Sequence, residues 1–435
     1  SQAALAVNSE RTDLEKDMAE GATEPARDDG RAWCCDDVHE GTLHNGSGDA
    51  RVDGDCGDPA AAAAATAARL QALAERGRKR ARTEAEEDGS AGGGGGGGET
   101  LEGEGSVTLG AFFDALDHFT LRRPADGGSE LALYDALRSP DRALLRGGHF
   151  VAEGSLVVEQ LLTLRREDGT PRFRLVSLLG TEQMLGRLAP AIQRADEAYA
   201  EDGSRCVAFG GSRADLSAAT GFKHSALSVL GIALRPSSAV PLSTWLAALA
   251  PAAGMRRPTL LLLDGVIKPE NVGSLFRSAL AFGVAGVVLS PGCADPLYRK
   301  AIRASMGAVF KLPYTFAPHW PEALLQVKAG GYALLALHLQ GSVEHTAALG
   351  ANGGAPAAAG PPPLRGVPLA VVVGAEYEGV GEAAARLADQ RVRIAMAPAM
   401  EVESLHGVDS LNVNVAAAIV LERIFAFNRV EPADE

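Results

Sequence analysis

Short, uninterrupted apolar runs alternate with helical stretches from Thr259 onward, and this alternation limits the fold more than any other feature of the chain. Strands that are buried on both faces of a parallel sheet are apolar at successive positions, whereas half-exposed strands alternate apolar and polar residues. The runs short enough for one strand each are Leu260–Leu263, Val284–Leu289, Tyr332–Leu337, Leu369–Val373 and Val392–Met396. The pattern predicts an α/β domain with a parallel sheet over residues 259–428. The Gly/Ala/Pro-rich segment 340–366 predicts a long surface loop within this domain.

A second, smaller α/β domain is predicted over residues 131–236. The stretch Phe150–Leu162 has the pattern of a strand end, a glycine turn and a helix with apolar residues at helical spacing. Leu175–Leu179 is a candidate strand, and Thr220–Ser225 lies in a later connection.

The acidity of the chain is concentrated in its first 105 residues. The net charge of −14 divides into −12 for residues 1–105, which hold 23 acidic and 11 basic residues, and −2 for the rest. Residues 1–105 also contain alanine and glycine runs, so we predict a disordered leader that buries too little apolar surface to fold. Its basic cluster Arg76–Arg82 is a nuclear signal, an RNA-contacting tail or an ordinary solvated run. The near-neutral body neither requires nor excludes a nucleic-acid partner.

The cysteines and the apolar runs indicate a reducing, intracellular setting. The five cysteines form no CxxC pair and no regular framework, which argues against a zinc site and against disulfides. No apolar run approaches the ~18 residues needed to cross a bilayer, so no membrane association is expected. The chain does not begin with Met, which leaves a removed targeting peptide open, and cytoplasm, nucleus and organelle are not distinguished.

The first candidate site motif is Asn271-Val-Gly-Ser-Leu-Phe-Arg277, where a strand is expected to pass into a helix. Asn271 is a candidate N-cap, because its side-chain oxygen can accept a free N–H of the first helical turn. An apolar stripe at helical spacing is formed by Val272, Leu275, Phe276, Ala279 and Leu280. Arg277 lies off this stripe. It is either an exposed cation or an arginine aimed over the C-terminal edge of the sheet, where open α/β folds bind ligands.

Two further motifs follow later strands. Gly374-Ala-Glu-Tyr-Glu-Gly379 comes directly after Leu369–Val373, and its glycines would allow a close backbone approach to a ligand, with Glu376 at the tip of the loop. Ile394-Ala-Met396 precedes a loop and then Ser410-Leu-Asn-Val. Ser410 is predicted to cap a helix that ends near Phe427, and Asn412 alone is an ordinary first-turn polar residue.

In this order, the three motifs resemble the SpoU (TrmH-type) family of RNA ribose 2′-O-methyltransferases, a branch of the SPOUT superfamily. Ser290–Val309 is also similar to that family, and Phe150–Gly154 resembles its N-terminal L30e-like RNA-binding module. The resemblance covers about residues 131–428. It implies an L30e-like substrate-binding domain at 131–236 and a methyltransferase domain at 259–428, whose C-terminal segment threads a deep trefoil knot.

The resemblance also implies a chemistry. It implies S-adenosylmethionine as the cofactor with no metal, rRNA or tRNA as the substrate, and a homodimer that completes the RNA site. Carried over to this sequence, the cofactor-binding residues are Gly374, Gly379, Ile394, Met396 and Leu411. The catalytic cluster would be Asn271, Arg277, Glu376, Ser410 and Asn412. Because an arginine stays charged, Arg277 is expected to stabilise the incipient alkoxide of the ribose rather than to remove its proton.

The sequence departs from the family in the last motif. Ile394 and Leu411 are separated by 17 positions, and the interval contains Val402-Glu-Ser-Leu405 ahead of the similar Val408-Asp-Ser-Leu411. The second copy alone continues into Asn-Val, and we take it as the motif. The effect of the duplicated loop 397–409 on cofactor binding stays open. A non-catalytic RNA-binding or ribosome-assembly protein is the alternative function, and a base methyltransferase of the knotted superfamily is a third.

Overall fold

The computed structural model describes residues 108–429, apart from 202, 222, 225–227, 237–239, 350–363, 365, 377 and 397–409. The predicted disordered leader, its basic cluster, the duplicated loop 397–409 and most of the predicted loop 340–366 lie outside these residues. All described residues belong to one compact unit.

The first part of this unit is a five-stranded sheet with flanking helices. Its strands are ordered β1-β4-β3-β5-β2, and β5 runs antiparallel to both neighbours. The elements are α1 Leu109–Phe113, β1 Phe119–Arg122, α2 Ser129–Ala132, α3 Asp141–Arg146, β2 His149–Glu153, α4 Ser155–Thr163, β3 Leu175–Thr181, α5 Glu182–Tyr199, β4 Cys206–Gly211, α6 Arg213–Thr220 and β5 Val229–Leu234, with 3-10 turns at Pro124–Asp126 and Leu133–Arg138. The predicted strand, turn and helix around Phe150 are confirmed, and Gly154 makes the turn with a φ of +105°. The sheet includes β1, which lies before residue 131.

The second part is a seven-stranded sheet, ordered β10-β12-β9-β11-β6-β7-β8, in which every described strand pair is parallel. The elements are α7 Leu242–Ala248, β6 Thr259–Asp264, α8 Pro269–Ala281, β7 Gly286–Leu289, α9 Arg299–Ser305, β8 Tyr314–Phe316, α10 Trp320–Ala329, β9 Ala333–Leu337, β10 Val343–Glu344, α11 His345–Leu349, β11 Leu369–Gly374, α12 Glu382–Leu387, β12 Gln390–Arg393 and α13 Val413–Asn428, with a 3-10 turn at Ala308–Phe310. The predicted parallel α/β sheet is confirmed. The loop prediction for 340–366 is wrong at residues 343–349, because β10 pairs with β12 there and α11 follows.

Burial on both faces explains the continuous apolar runs. Leu261 and Leu263 belong to the core under α8 and α13, whereas Leu260 and Leu262 belong to a second core under α7, α10 and α12. Successive side chains of a strand point to opposite faces, so a strand covered on both sides needs an apolar residue at every position. The sheet is therefore a middle layer between two layers of helices.

The two sheets are joined by a packed seam. The Phe310 ring lies 5.7 Å from the Phe150 ring and 5.0 Å from the Phe173 ring, measured between centroids, and all three side chains are buried. Two ion pairs also join the two parts. Arg235 Nη2 lies 2.9 Å from Asp295 Oδ2, and the Arg299 guanidinium pairs with the Asp141 carboxylate.

The end of α13 returns to the beginning of β6. The buried Asn428 side chain accepts a hydrogen bond from the Arg257 N–H at 3.2 Å and donates one to the Arg257 carbonyl at 2.8 Å. This paired contact resembles one rung of a sheet, and it fixes the last turn of the helix to the first strand of its domain.

Candidate active site

A cleft of about 330 Å³ opens at the carboxyl edge of the second sheet, where β9, β11 and β12 end and α8 and α13 begin. Parallel strands place their carboxyl ends along one edge, so residues distant in sequence meet there. The cleft is lined by eight of the ten predicted site residues: Asn271, Gly374, Glu376, Ile394, Met396, Ser410, Leu411 and Asn412. Gly379 and Arg277 do not line it.

The floor of the cleft is a tightly reversed loop that begins at Gly374. Ala375 and Gly379 exchange two backbone hydrogen bonds of 3.0 Å each, and Gly379 has a φ of +73°, a conformation that glycine adopts without strain. A Cβ added to Gly374 would lie 1.9 Å from the Gly379 carbonyl carbon. The first glycine of the motif is therefore required by the close approach of two backbone segments, and the last by its dihedral angle.

Glu376, Asn271 and Asn412 form one chain of hydrogen bonds across the cleft. The Asn412 side-chain amide donates to Asn271 Oδ1 at 3.1 Å, and the Asn271 amide donates to Glu376 Oε1 at 2.7 Å. The Lys268 backbone N–H donates to the same Glu376 oxygen at 3.3 Å. The three motifs singled out in the sequence therefore meet through these side chains.

The second carboxylate oxygen of Glu376, Oε2, is buried and has no hydrogen-bond partner within the described part of the chain. A buried polar atom without a partner costs free energy, and such atoms in native proteins call for an explanation. Since Glu376 lines the cleft, a hydrogen-bond donor on a bound ligand would satisfy this oxygen.

Both predicted helix caps at the site are wrong. The cap of α8 is Lys268 and Pro269 takes the first helical position, so Asn271 stands in the first turn. Proline is suited to that position because its fixed φ matches the helix and its missing N–H has no partner there. At the later helix, Asn412 replaces Ser410 as the cap, and its Oδ1 accepts the Asn414 N–H at 2.9 Å.

Arg277 lies on the outer surface of α8. It is exposed, which was the first of the two alternatives for this residue, while Val272, Leu275, Phe276 and Ala279 are buried. Leu280 was assigned to the stripe and is 38% exposed, so the stripe is narrower than predicted. Arg277 follows Asn271 by six positions on the helix, a rise of about 9 Å. Arg277 thus stands outside the wall of the cleft.

Several cleft residues were missed by the sequence analysis, among them Lys268, Leu337, His338 and Leu339. The last three lie at or just after the end of β9, whose apolar run was recognised. Applying the rule that ligands bind at the carboxyl ends of parallel strands to that run would have identified them.

Asp264 supports the loop from the neighbouring strand. It ends β6 opposite Gly374 and accepts the Gly381 N–H at 2.8 Å through Oδ2. Burial raises the pKa of the Asp264 carboxyl, although the Gly381 hydrogen bond acts in the opposite direction. Asp264 therefore holds the far end of the loop that starts at Gly374.

Within the described residues, no group of three or more His, Cys, Asp or Glu side chains is arranged to bind a metal ion. The same part of the chain has no helix both long and apolar enough to cross a membrane.

Residues 258–422 match the model of the SpoU rRNA Methylase family. An uncharacterized tRNA/rRNA methyltransferase of Mycobacterium tuberculosis is 34% identical over 291 residues, which cover 65% of this chain and 83% of that protein. A 23S rRNA (adenosine(1067)-2′-O)-methyltransferase of Streptomyces laurentii is 34% identical over 167 residues, covering 38% of this chain and 53% of that enzyme.

The fold is also that of solved RNA methyltransferases. An rRNA methyltransferase from Sinorhizobium meliloti aligns with a TM-score of 0.51 and 23% identity, over 71% of this chain and 98% of that structure. Its AdoMet-bound form aligns with a TM-score of 0.50 and 21% identity, over 70% and 97%. The matched domain, the long alignment to the mycobacterial relative and the meeting of the three motifs in one cleft lead to one conclusion: the chain belongs to the SpoU (TrmH-type) family of RNA methyltransferases.

Proposed function

We propose that this protein methylates a ribose 2′-hydroxyl of rRNA or tRNA with S-adenosylmethionine as the methyl donor. The observation that carries the proposal is the hydrogen-bonded chain from Asn412 through Asn271 to Glu376, which lines the cleft at the carboxyl edge of the sheet. The 2′-O activity in the name of the Streptomyces laurentii relative supports the choice of ribose over base.

The cleft suits a cofactor of this size and polarity. Its volume of about 330 Å³ lies at the lower end of the range of ~300–1,000 Å³ for small-molecule sites. Gly374, Ile394 and Leu411 offer backbone groups and apolar surface, Met396 adds an exposed thioether side chain, and Gly379 keeps the loop closed. The unpaired Glu376 Oε2 would accept a hydrogen bond from the bound molecule.

When bound, the cofactor supplies the electrophilic methyl group. The protein therefore has to bind the cofactor and the RNA, orient the reacting groups and stabilise the charge that develops on the ribose oxygen. A ribose hydroxyl attacks only as its proton leaves, and the developing alkoxide then needs a positive charge or donors nearby. Arg277 is the cation we assign to this role, acting on the RNA that lies over the rim of the cleft. Asn271 and Asn412 hold the Glu376 carboxylate in place, and Ser410 lines the cleft two residues before Asn412.

The proposal includes the architecture that the family implies. The mixed five-stranded sheet, including residues 131–236, would be the L30e-like RNA-binding module. The C-terminal segment that includes α13 would thread the trefoil knot, and the contact of α13 with α8, where Ser278 donates to Asn414 Oδ1 at 2.8 Å, supports that proposal. A homodimer through α8 and α13 is supported by the exposed apolar side chains Leu280 and Val415.

The test is transfer of labelled methyl from S-adenosylmethionine to cellular RNA by the purified full chain. We expect label in alkali-resistant dinucleotides, since a 2′-O-methyl group prevents cleavage of the following phosphodiester. Label confined to bases would contradict the ribose assignment. Absence of both cofactor binding by calorimetry and methyl transfer would favour the non-catalytic RNA-binding alternative.

A further inference from the structure

A group of exposed cations lies outside the cleft, on α8 and α9. The two helices pack so closely that a Cβ on Gly273 of α8 would lie 2.2 Å from the carbonyl oxygen of Ala301 in α9. Lys300 and Arg303 are both exposed and stand one turn apart on α9, so they share a face of that helix. Lys300 Nζ lies 3.0 Å from Glu270 Oε1 on α8. The shared face of α9 therefore borders the beginning of α8.

Arg277 faces the same side of the molecule. It follows Glu270 by seven residues, which is close to two helical turns, so the two side chains leave α8 in nearly the same direction about 10 Å apart. The pKa of the Glu270 carboxyl is lowered by its own backbone N–H and the Lys300 hydrogen bond, and also by the positive charge of Arg303. Glu270 is thus a carboxylate between the two cations of α9 and Arg277 of α8.

The cations continue across the seam between the two sheets. A recess of about 280 Å³ is lined by Lys300 and Tyr298 on one side and by Pro140, Asp141 and Arg142 on the other. Asp141 is already engaged by Arg299, whose backbone N–H and guanidinium both donate to its carboxylate. Asp141 therefore does little to neutralise Arg142, which is exposed at the start of α3.

We propose that Arg142, Lys300 and Arg303 form a track for the phosphate backbone of the substrate RNA, leading from the first sheet across the seam to Arg277 on the outer surface of α8. This inference rests on the proposed function, because it assigns the path of the RNA to that site. Phosphate contacts of this kind position RNA without selecting its sequence. The packed seam keeps the cations at fixed separations, so the track also sets the distance between the bound RNA and the methylated ribose.

The test measures binding of a fluorescein-labelled RNA hairpin of mixed sequence to the full chain at several salt concentrations. The triple variant Arg142→Gln, Lys300→Gln, Arg303→Gln should bind at least tenfold more weakly at low salt. The slope of log affinity against log salt should fall by about one for each lost phosphate contact. Arg386→Gln is the matched control, because this exposed arginine lies on α12, in the helical layer on the other face of the sheet. Its affinity and slope should match the wild type.

A variant that should change the affinity in the opposite direction makes the test more specific. Glu270→Gln removes the carboxylate within the track and should tighten hairpin binding by several-fold, whereas a merely structural Lys300–Glu270 pair predicts no tightening. If the triple variant fails to fold, the hairpin affinity and salt slope are measured with the single variant Arg303→Gln. An unchanged affinity and slope in folded track variants would overturn the inference, as would equally tight binding of poly-glutamate by the wild type. Track-dependent hairpin binding by a protein that neither binds the cofactor nor methylates cellular RNA would refute the proposed function and leave the track standing as an RNA-binding surface.

Discussion

Asn412 and Asn271 lie 141 positions apart in the sequence, yet the side-chain amide of the first donates a 3.1 Å hydrogen bond to the side-chain oxygen of the second. The bond has a fixed direction. Asn412 Oδ1 is occupied by the Asn414 N–H, so its amide faces Asn271, and the Asn271 amide in turn faces Glu376. The Asn412 amide thereby orients the Asn271 amide, and this chain of hydrogen bonds ends at the Glu376 carboxylate.

Asn412→Ala should lower the rate of methyl transfer at least tenfold, because it removes both the donor to Asn271 and the cap of α13. Capping losses typically cost ~1 kcal/mol, so the fold should survive with a slightly lower melting temperature. Asn412→Asp separates the two roles, since it keeps the capping oxygen and replaces the donor by an acceptor. Methyl-transfer assays and thermal melts of both variants are the measurement. Ser404→Ala, in the duplicated loop, should be nearly silent, and a dead Ser404→Ala beside an active Asn412→Ala would show that the first copy is the motif.

Arg277→Ala should reduce turnover by two orders of magnitude or more, the scale of a lost charge-stabilising donor. Its side chain is exposed on α8, so the free energy of unfolding should change little. The comparison is kcat and urea unfolding for Arg277→Ala, Arg277→Lys and the surface control Arg386→Ala. If Arg277→Ala retains half the wild-type turnover, the arginine has no part in the chemistry.

Gly374→Ala should destabilise the protein by about 3 kcal/mol, because the added Cβ meets the backbone of Gly379 rather than a movable side chain. Cofactor affinity, measured by calorimetry on whatever fraction folds, should fall as well, since the loop lines the cleft. Gly110→Ala is the control: it lies in α1 with nothing within 4 Å of the added Cβ, and it should be neutral or stabilising by up to ~1 kcal/mol. Equal stabilities of the two variants would mean that the loop can open freely.

Asp264→Asn should change the pH dependence of stability. Burial raises the pKa of Asp264 in the folded state, so the folded protein binds this proton more tightly than the unfolded chain does. Stability contributed by this group therefore falls as pH rises from the ordinary aspartate value of ~3.9 through the raised folded value. Relative to the wild type, the variant should gain stability as pH rises through that window and level off above it. Urea unfolding from about pH 3.5 to 7.5 measures the difference, and a difference that stays constant with pH would exclude Asp264 as its source.

The parallel sheet was predictable because burial on both faces makes each strand an uninterrupted apolar run, which can be recognised without its neighbours. Leu260–Leu263 is apolar at every position for that reason, and no knowledge of neighbouring strands is needed to recognise it. β8, Tyr314–Phe316, has three residues and too little length to show a pattern, although it closes one edge of the sheet. β10 escaped prediction because it is a two-residue edge strand whose position depends on β12.

The candidate site was predicted by resemblance to a family rather than by its physics. Nothing local to Asn271 indicates that its amide binds a carboxylate 105 residues later, since that contact depends on the order of the strands. The two caps were wrong for a related reason. Asparagine and serine are residue types that cap helices. Here, however, α8 begins with Pro269 and α13 is capped by Asn412, so the Asn271 and Ser410 side chains line the cleft instead.

The clasp between Asn428 and Arg257 has a consequence for synthesis of the protein on the ribosome. Strand β6 is the first strand of its sheet in chain order, yet the residue Arg257 just ahead of it is held by a side chain made about 170 residues later. The core under α13, which includes Ala417, Val420, Leu421 and Ile424, is likewise incomplete until that helix is translated. The nascent second sheet must therefore stay unfinished, with apolar surface open to chaperones, while the first sheet can already fold. Nonsense mutations ahead of residue 428 should for this reason give an insoluble product rather than a shortened enzyme.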